Sequence, residues 1–371
     1  MKIVADAHIP FVKEYFSAQG DLILKPGRTI TREDLREADI LLVRSITPVN
    51  KNLLDQTQVK FVGSVTAGQD HLDTAWLDKA GIAWTVAAGF NAPPVADYVV
   101  SVIAALQKKK LLVSPTLKAA VIGVGNVGRL VAERLRLLNF DVVMCDPLRA
   151  EKEKGFDSIS IDALSDLDLI TLHAPLTKSG AHPTYHLMSP AILERLPPKC
   201  TLINTSRGAV IDSQALLQQG AHLRWCFDVW EHEPTINQLI LEKAYIGTPH
   251  IAGYSVQSKI RGIDMIYKIG CARGFIQSQS KSPINMPHQQ FTFSTDQLGW
   301  QDIILDIFNP LVMTEKMRST LLSTPDSGLL FDEMRNQFNF RTEFSFADIK
   351  INNLSNEDND ILLKLGVKRV K

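Results

Sequence analysis

The segment AVIGVGNVG, residues 120–128, constrains the fold of this chain more than any other stretch. It joins an apolar run to a helical pattern, and Gly123, Gly125 and Gly128 have the spacing GxGxxG. In that order the glycines allow a tight turn, leave room for a pyrophosphate against the backbone and let the helix pack closely on the strand. The segment predicts a dinucleotide at the helix N-terminus, although glycine-rich turns also occur for packing reasons alone.

A carboxylate at the end of the next apolar run supports a dinucleotide. Asp146 closes DVVMCD, 18 residues after Gly128, where an acid accepts hydrogen bonds from the adenosine ribose hydroxyls. The same carboxylate would repel a 2′-phosphate, so the pattern favours NAD over NADP. The nearby Arg149 weakens this preference.

Short apolar runs alternate with helical patterns in two series along the chain. The first series runs from KIVADA to VKFVGSV, and the second from AAVIGVG to LRWCFDVW. Such alternation predicts parallel sheets with helices on their faces. Residues 91–109 form a long apolar-periodic segment with Pro93 and Pro94 in its first turn, and residues 278–287 are polar and proline-bearing, as in a linker. We therefore expect an α/β protein with a third region of mixed pattern.

The charge and cysteine content exclude several classes of partner. Lys+Arg and Asp+Glu both total 40, so no overall field favours nucleic acid or an anionic membrane. The four cysteines have no metal-ligand spacing, which predicts reduced thiols in a cytosol. Asp6 and His8 interrupt the stretch that a signal peptide would need, and no run reaches the roughly 18 apolar residues of a membrane span. We expect a cytoplasmic protein without a metal.

Three residues in chain order have the chemistry of a 2-hydroxy acid dehydrogenase. Arg207 ends the apolar run in LINTSRGAVID, Glu233 lies in WEHEP, and His250 lies in GTPHIAGYS. A guanidinium can hold a substrate carboxylate, an imidazole can take the hydroxyl proton, and a carboxylate can fix that imidazole's tautomer. A substrate carboxylate would also neutralise Arg207, which is costly to bury alone; the alternative is a surface arginine at a strand end.

For other ionisable residues the sequence predicts different roles. We expect Glu231 and His232, in the same loop as Glu233, to be solvated. His71 and His173 are expected to make structural hydrogen bonds. Arg44 follows an apolar run, and it either binds a substrate anion or pairs with a surface acid.

The glycine turn, LINTSRGAVID, FDVWEHEP and TPHIAGYS resemble, in order, the blocks of the D-isomer-specific 2-hydroxyacid dehydrogenases. The resemblance implies NAD as cofactor and a catalytic role for Arg207, Glu233 and His250. It also implies cofactor contacts at Asn126, Val127, Asp146, Thr205, Ser206, Arg207, Asp228 and Gly253. One departure is Ala174, where close relatives carry a cofactor-contacting threonine.

Within that family the chain is most similar to a member that oxidises a phosphorylated four-carbon 2-hydroxy acid in vitamin B6 biosynthesis. VRSIT, GSVTAGQDHLD and HIAGYS carry this narrower resemblance, which implies substrate contacts at Ser45, Thr66 and Tyr254. The tail FDEMRNQFNFRTEFSF resembles a C-terminal dimerisation domain. The alternatives are another member, such as phosphoglycerate dehydrogenase or hydroxypyruvate reductase, and a non-enzymatic NAD-sensing protein similar to corepressors of this scaffold.

The resemblance and the alternating patterns together predict three domains. Residues 1–92 and 256–282 would form a flavodoxin-like substrate domain, and residues 93–255 a Rossmann-type NAD domain. Residues 283–371 would form a small C-terminal α+β dimerisation domain. We therefore expect a homodimer that acts on a small phosphorylated 2-hydroxy acid.

Overall fold

The chain divides into two compact units. The computed structural model describes residues 1–114, 116–278, 284–294, 298–324, 327–338 and 340–370. One unit comprises Met1–Asn91 and Ser255–Pro287, and the other comprises Ala92–Tyr254 and His288–Lys371. The predicted boundary between residues 282 and 283 lies outside the described residues.

The elements follow the alternation seen in the sequence. The strands are β1 Lys2–Asp6, β2 Asp21–Lys25, β3 Ile40–Val43, β4 Phe61–Ser64, β5 Ala83–Val86, β6 Leu117–Ile122, β7 Phe140–Cys145, β8 Leu169–Leu172, β9 Thr201–Asn204, β10 Arg224–Phe227, β11 Ile246–Gly247, β12 Gln289–Thr292, β13 Ala347–Lys350 and β14 Lys368–Arg369. The helices are α1 Val12–Phe16, α2 Arg32–Leu35, α3 Lys51–Leu54, α4 Thr74–Ala80, α5 Ala92–Lys108, α6 Asn126–Leu137, α7 Pro147–Lys152, α8 Pro190–Arg195, α9 Ser213–Gln219, α10 Gln238–Lys243, α11 Val256–Ala272, α12 Trp300–Ile307, α13 Pro310–Leu321, α14 Ser327–Asn336 and α15 Asn356–Lys364.

The first unit is a parallel sheet with strand order β2-β1-β3-β4-β5. Its inner strands β1, β3 and β4 are buried on both faces because successive side chains enter different cores. Ile3 packs with residues of α1 and α11, and Val4 with residues of α2, α3 and α4. This strand order is the flavodoxin-like one. The predicted fold of this unit is confirmed.

The second unit contains a parallel sheet with order β11-β10-β9-β8-β6-β7. The chain runs outward from β6 to β7, and then returns to the other side of β6 as β8. Ligands of doubly wound sheets bind at the carboxyl ends of the strands beside such a reversal. The glycine turn follows β6 at this point, as expected for a Rossmann-type domain.

The C-terminal segment His288–Lys371 contributes a small parallel sheet, β12-β13-β14, and helices α12 to α15. It shares hydrophobic cores with the NAD-binding part: Ile303 and Phe344 pack in one core with residues of α5 and α6, and Phe331 packs in another with Trp230 and Ile240. The segment belongs to the same compact unit as Ala92–Tyr254. A separate C-terminal dimerisation domain therefore stays a prediction.

Candidate active site

The glycine turn at the end of β6 has the geometry that a pyrophosphate requires. Gly123 has φ +80°, and a Cβ there would lie 2.5 Å from the Ala174 nitrogen. A Cβ on Gly128 would lie 2.0 Å from the Gly123 carbonyl oxygen, so α6 can approach the strand only without a side chain. At Gly125, the N-cap residue of α6, a Cβ would meet no atom of the described residues within 4 Å. The open space beside the helix N-terminus fits the phosphates of a dinucleotide.

Asp146 lies at the end of β7 and holds the glycine turn from the neighbouring strand. Its carboxylate accepts hydrogen bonds from the backbone N–H groups of Val124 (2.8 Å) and Arg149 (3.0 Å). Each carboxylate oxygen has a further lone pair that can accept a ribose hydroxyl. The Arg149 guanidinium is held by Glu153 (2.6 and 3.0 Å) and by the Val124 carbonyl (2.9 Å).

The remaining predicted cofactor residues lie at the same edge of the sheet. Asn126 and Val127 begin α6. Ser206 is buried beyond β9, and its hydroxyl donates to the Asn204 side chain (2.9 Å). The Thr205 hydroxyl lies 3.1 Å from the Nδ1 atom of His173.

Arg207, Glu233 and His250 follow three neighbouring parallel strands, β9, β10 and β11. Because the carboxyl ends of parallel strands share one edge, this topology brings the three segments to one side of the sheet. The glycine that follows Arg207 is required for steric reasons, since a Cβ on Gly208 would lie 1.9 Å from the carbonyl carbon of Trp230. Arg207 is half-buried, and its guanidinium donates to the Ser206 carbonyl (2.8 Å).

Glu233 and His250 form a direct pair, as the sequence predicts. Nδ1 of His250 lies 2.7 Å from one Glu233 oxygen, and the other oxygen accepts the Trp230 N–H (2.9 Å). Burial raises the pKa of Glu233, but the His250 and Arg335 charges and the hydrogen bonds from His250 and Trp230 outweigh it, so that pKa lies below its usual value. Against an ionised Glu233, Nδ1 donates, which leaves Nε2 as the atom that can accept a substrate proton.

The turn that carries His250 is held by Asp228. This carboxylate is buried and accepts the Thr248 hydroxyl (2.6 Å) and the N–H groups of Ile251 (2.8 Å) and Ala252 (2.9 Å). The His250 N–H donates to the Asp228 carbonyl (2.7 Å), and His250 has φ +57°. A left-handed non-glycine residue persists only where its surroundings impose it. Asp228 therefore fixes the turn that leads to Gly253. The cofactor contact predicted for Asp228 stays a prediction.

The expectation that Glu231 is solvated is wrong. Its side chain is only 9% exposed, lies 2.7 Å from Nε2 of His186 and accepts the Ser213 N–H (3.2 Å). Burial by itself raises the pKa of Glu231. The hydrogen bonds from His186 and Ser213 lower that pKa by more, so it lies below its usual value. Glu231 holds loops of the NAD-binding part together, because residues far apart in sequence converge on it.

The three other histidines with a predicted environment, His71, His173 and His232, behave as expected. His232 is exposed, and Nε2 of His71 lies 2.8 Å from the Ser64 hydroxyl. The His173 ring lies between the hydroxyls of Thr171 (2.9 Å) and Thr205 (3.1 Å). Burial lowers the pKa of His173 to about 3, so this ring is neutral at physiological pH.

The predicted substrate residues of the first unit follow β3 and β4. Ser45 comes two residues after β3, and the Thr66 hydroxyl lies 2.8 Å from that of Ser64. Arg44 pairs with Asp6 at the end of β1 (2.7 Å). That acid is buried rather than on the surface. Burial raises the pKa of Asp6, but Arg44 and His8 bring it below its usual value.

Sequence reasoning missed Arg335, which lies beside the predicted substrate residue Tyr254. Arg335, in α14, places its Nη2 atom 3.4 Å from the Tyr254 hydroxyl. The Tyr254 ring packs against Phe338 and Phe340, with centroids 6.4 and 6.0 Å apart. The tail motif contains Arg335, but no local spacing links position 335 to position 254.

Two features are absent from the part of the chain that the structure describes. No group of histidine, cysteine and acidic residues there is arranged to hold a metal ion. Among the same residues, no helix combines the length and hydropathy needed to cross a bilayer.

Comparison with known proteins agrees with this geometry. Residues 105–252 match the family described as D-isomer specific 2-hydroxyacid dehydrogenase, NAD binding domain. Erythronate-4-phosphate dehydrogenase of Coxiella burnetii is 47% identical over 93% of this chain and 94% of the relative. The protein of the same name from Marinobacter nauticus is 37% identical over 99% of each chain.

The chain belongs to the erythronate-4-phosphate dehydrogenase family. It is thus an NAD-dependent oxidoreductase of the D-2-hydroxyacid dehydrogenase type, and the predicted cofactor and enzyme class are confirmed.

A solved structure agrees at the level of the fold. The NAD-bound 3-phosphoglycerate dehydrogenase of Entamoeba histolytica is 20% identical, with a TM-score of 0.61 over 75% of this chain and 99% of that one. A quarter of this chain lies outside the match to that structure, whereas the matches to the Coxiella and Marinobacter relatives cover nearly all of this chain. Most of the length outside the structural match is therefore shared with the erythronate-4-phosphate dehydrogenases.

Proposed function

We propose that this chain oxidises 4-phospho-D-erythronate to 2-oxo-3-hydroxy-4-phosphobutanoate, with NAD as oxidant, in vitamin B6 biosynthesis. The observation that carries the proposal is the Glu233–His250 pair, which directs one imidazole nitrogen to a carboxylate and leaves the other for a substrate. The names of the relatives at 47% and 37% identity support the choice of substrate.

His250 and Glu233 would move the proton. Nε2 of His250 takes the proton of the C2 hydroxyl, and Glu233 stabilises the imidazolium that forms. The C2 carbon loses a hydride as its hydroxyl loses the proton, so a ketone results. NAD, when bound, supplies the acceptor for that hydride. In the reverse direction His250 returns the proton to the carbonyl oxygen.

Arg207 would bind the carboxylate of the substrate. A guanidinium presents two parallel N–H donors to a carboxylate, which fixes the orientation of C2 and polarises the adjoining C–O bond. The half-buried position of Arg207 strengthens this interaction relative to bulk water.

Further contacts to the substrate would come from Ser45, Thr66, Tyr254 and Arg44. Arg44 is oriented by the buried Asp6, so it would offer its remaining N–H groups to an anion from a fixed position. Gly123, Gly125 and Gly128 with Asp146 would hold NAD. The open space at Gly125 and the polar groups of Asp146 and Thr205 support this assignment.

We also propose a cytoplasmic homodimer that pairs through the C-terminal segment. Exposed apolar side chains on α13 and α14, Val312 and Leu329, support an interface there. Light scattering of the variants Val312→Lys and Leu329→Lys tests it: the mass of a monomer is expected, and dimers in both variants would contradict this surface.

The activity is tested by NADH formation with 4-phospho-D-erythronate and, side by side, with 3-phosphoglycerate. We expect a clear preference in kcat/KM for the four-carbon substrate, and near-complete loss of rate in His250→Asn. Preference for 3-phosphoglycerate would assign another member's activity. NAD binding with negligible turnover on both compounds would instead favour an NAD-sensing protein.

A further inference from the structure

Arg335 brings a positive charge from the C-terminal segment to the catalytic residues. Its Nη2 atom is 3.4 Å from the Tyr254 hydroxyl, and Nη1 is 3.7 Å from the half-exposed Asp332 on its own helix. Its side chain is only 26% exposed, and within the described residues its buried Nε atom has no hydrogen-bond partner. A largely buried guanidinium is costly to keep, so its hydrogen bond to Tyr254 and its charge interaction with Glu233 call for a role.

Helix α14 is firmly held in this position. Phe331 and Met334 are buried in the core that contains Trp230 and Ile236. A Cβ on Gly328 would lie 3.0 Å from the Thr235 hydroxyl, so the start of α14 lies against the loop that follows Glu233. The backbone that carries Arg335 is therefore fixed relative to the catalytic acid.

We propose that Arg335 is a positioning residue of the active site, which orients the Tyr254 hydroxyl and places a fixed positive charge beside the Glu233–His250 pair. The inference rests on the proposed function, and it extends the site into a segment outside the matched NAD-binding family region, residues 105–252.

The charges around the pair give this role a measurable consequence. Glu233 is faced by His250 and, from α14, by Arg335; His250 is also faced by Asp228 from the end of β10. Arg335 lowers the pKa of Glu233. Because Glu233 must be ionised to hold the His250 ring and to stabilise the imidazolium that forms, removal of this charge should impair oxidation most at low pH.

The test compares Arg335→Gln and Arg335→Lys with Arg318→Gln. Arg318, in the neighbouring α13, donates to the carbonyls of Leu241 and Ala244, which are structural contacts of the same segment. In Arg335→Gln we expect kcat to fall by about tenfold to a hundredfold, with KM for NAD unchanged and the acid limb of the pH–kcat profile moved to higher pH. Arg335→Lys should restore the acid limb. Arg318→Gln should lower Tm without moving that limb.

Three results would overturn the inference: a normal kcat and pH profile in Arg335→Gln, a loss of rate with an unmoved acid limb, or an equal shift of that limb in Arg318→Gln. The rate of the wild-type enzyme distinguishes failure of this inference from failure of the proposed function. An inactive wild-type enzyme contradicts the proposed function. An active wild-type enzyme in which substitutions at residue 335 have no effect contradicts only the inference.

Discussion

At the scale of single residues, Arg207 stands out because it places a cation at the end of an apolar strand, where burial of a charge is costly. Arg207 remains half-buried beyond β9, and Gly208 lets its segment approach Trp230 in the loop that leads to Glu233. A cation held at this edge suits a substrate that carries its own carboxylate. The charge of Arg207 and its position after β9 therefore both support a role in binding the substrate carboxylate.

The substitution Arg207→Lys tests that role. A lysine keeps the charge but loses the two parallel donors, so we expect kcat/KM for the hydroxy acid to fall about a hundredfold. NAD binding, followed by calorimetric titration, should remain within a few-fold of wild type. Unchanged turnover would remove Arg207 from the mechanism.

Arg149 and Glu153 bear on the choice between NAD and NADP. The Arg149 guanidinium is bound by the Glu153 carboxylate and stacks on the Phe156 ring, 4.3 Å from its centroid. In Glu153→Ala this guanidinium loses its anionic partner and becomes available to a 2′-phosphate. We expect the ratio of kcat/KM for NADP to that for NAD to rise about tenfold.

Glu133→Ala is the matched control, because it removes a similar i,i+4 partner from Arg129 on α6. A change of cofactor preference in both variants, or in neither, would contradict the role assigned to the Arg149–Glu153 pair.

At the scale of elements, much of the site follows from patterns in the sequence. Alternating apolar runs predict the two parallel sheets, and the blocks after β9, β10 and β11 contain the residues that we propose to be catalytic, Arg207, Glu233 and His250. The burial of Glu231 was not foreseen because its partners, His186 and Ser213, are 45 and 18 residues away in the chain. A local pattern shows that a loop is acidic, but not which of its acids another loop covers.

The 3₁₀ turn Gly208–Val210 after β9 is an element whose sequence requirement is steric. In Gly208→Ala, a Cβ would lie 1.9 Å from the Trp230 carbonyl carbon, so the backbone must move. We expect the free energy of unfolding in urea to fall by about 2 to 3 kcal/mol. Gly299→Ala, whose Cβ would first meet the flexible end of Gln301, should lose much less. Equal losses would contradict this steric account.

The neutral His173 ring predicts a pH dependence of stability. Its pKa is about 3 in the folded chain against an ordinary value of 6.5. The unfolded chain therefore binds a proton that the folded one does not, and stability present above pH 6.5 is lost as the pH falls towards 3. The slope contributed is up to about 1.4 kcal/mol per pH unit.

His173→Asn should remove this part of the pH dependence. We expect the fall in unfolding free energy between pH 7 and pH 5, measured in urea, to be smaller in the variant than in wild type. Identical slopes would show that His173 is not held neutral.

At the scale of the whole molecule, the C-terminal segment is joined to the NAD-binding part by contacts between residues far apart in the sequence. Arg341 is buried, and it donates to the carbonyls of Pro94, Ile251 and Ala252. Two of these carbonyls lie in the turn directly after His250. Contacts that join residue 341 to residues 94 and 251 leave no periodic trace in the sequence, so pattern reasoning could not find them.

These contacts change how the tail can be studied. Deletion of residues 283–371 would expose the cores that contain Phe344 and Phe331, so loss of activity in a truncated chain would not report on dimerisation. Substitutions at the exposed Val312 and Leu329 leave those cores intact.

The central claim is that Arg207 and the Glu233–His250 pair act on one 2-hydroxy acid. A crystal structure with NADH and 4-phospho-D-erythronate, a pair that cannot react, tests it most directly. We predict that the substrate carboxylate is bound by the Arg207 guanidinium and that its C2 hydroxyl lies within hydrogen-bond distance of Nε2 of His250. A substrate bound away from both side chains, or a His250 ring that turns Nε2 away from it, would contradict the account.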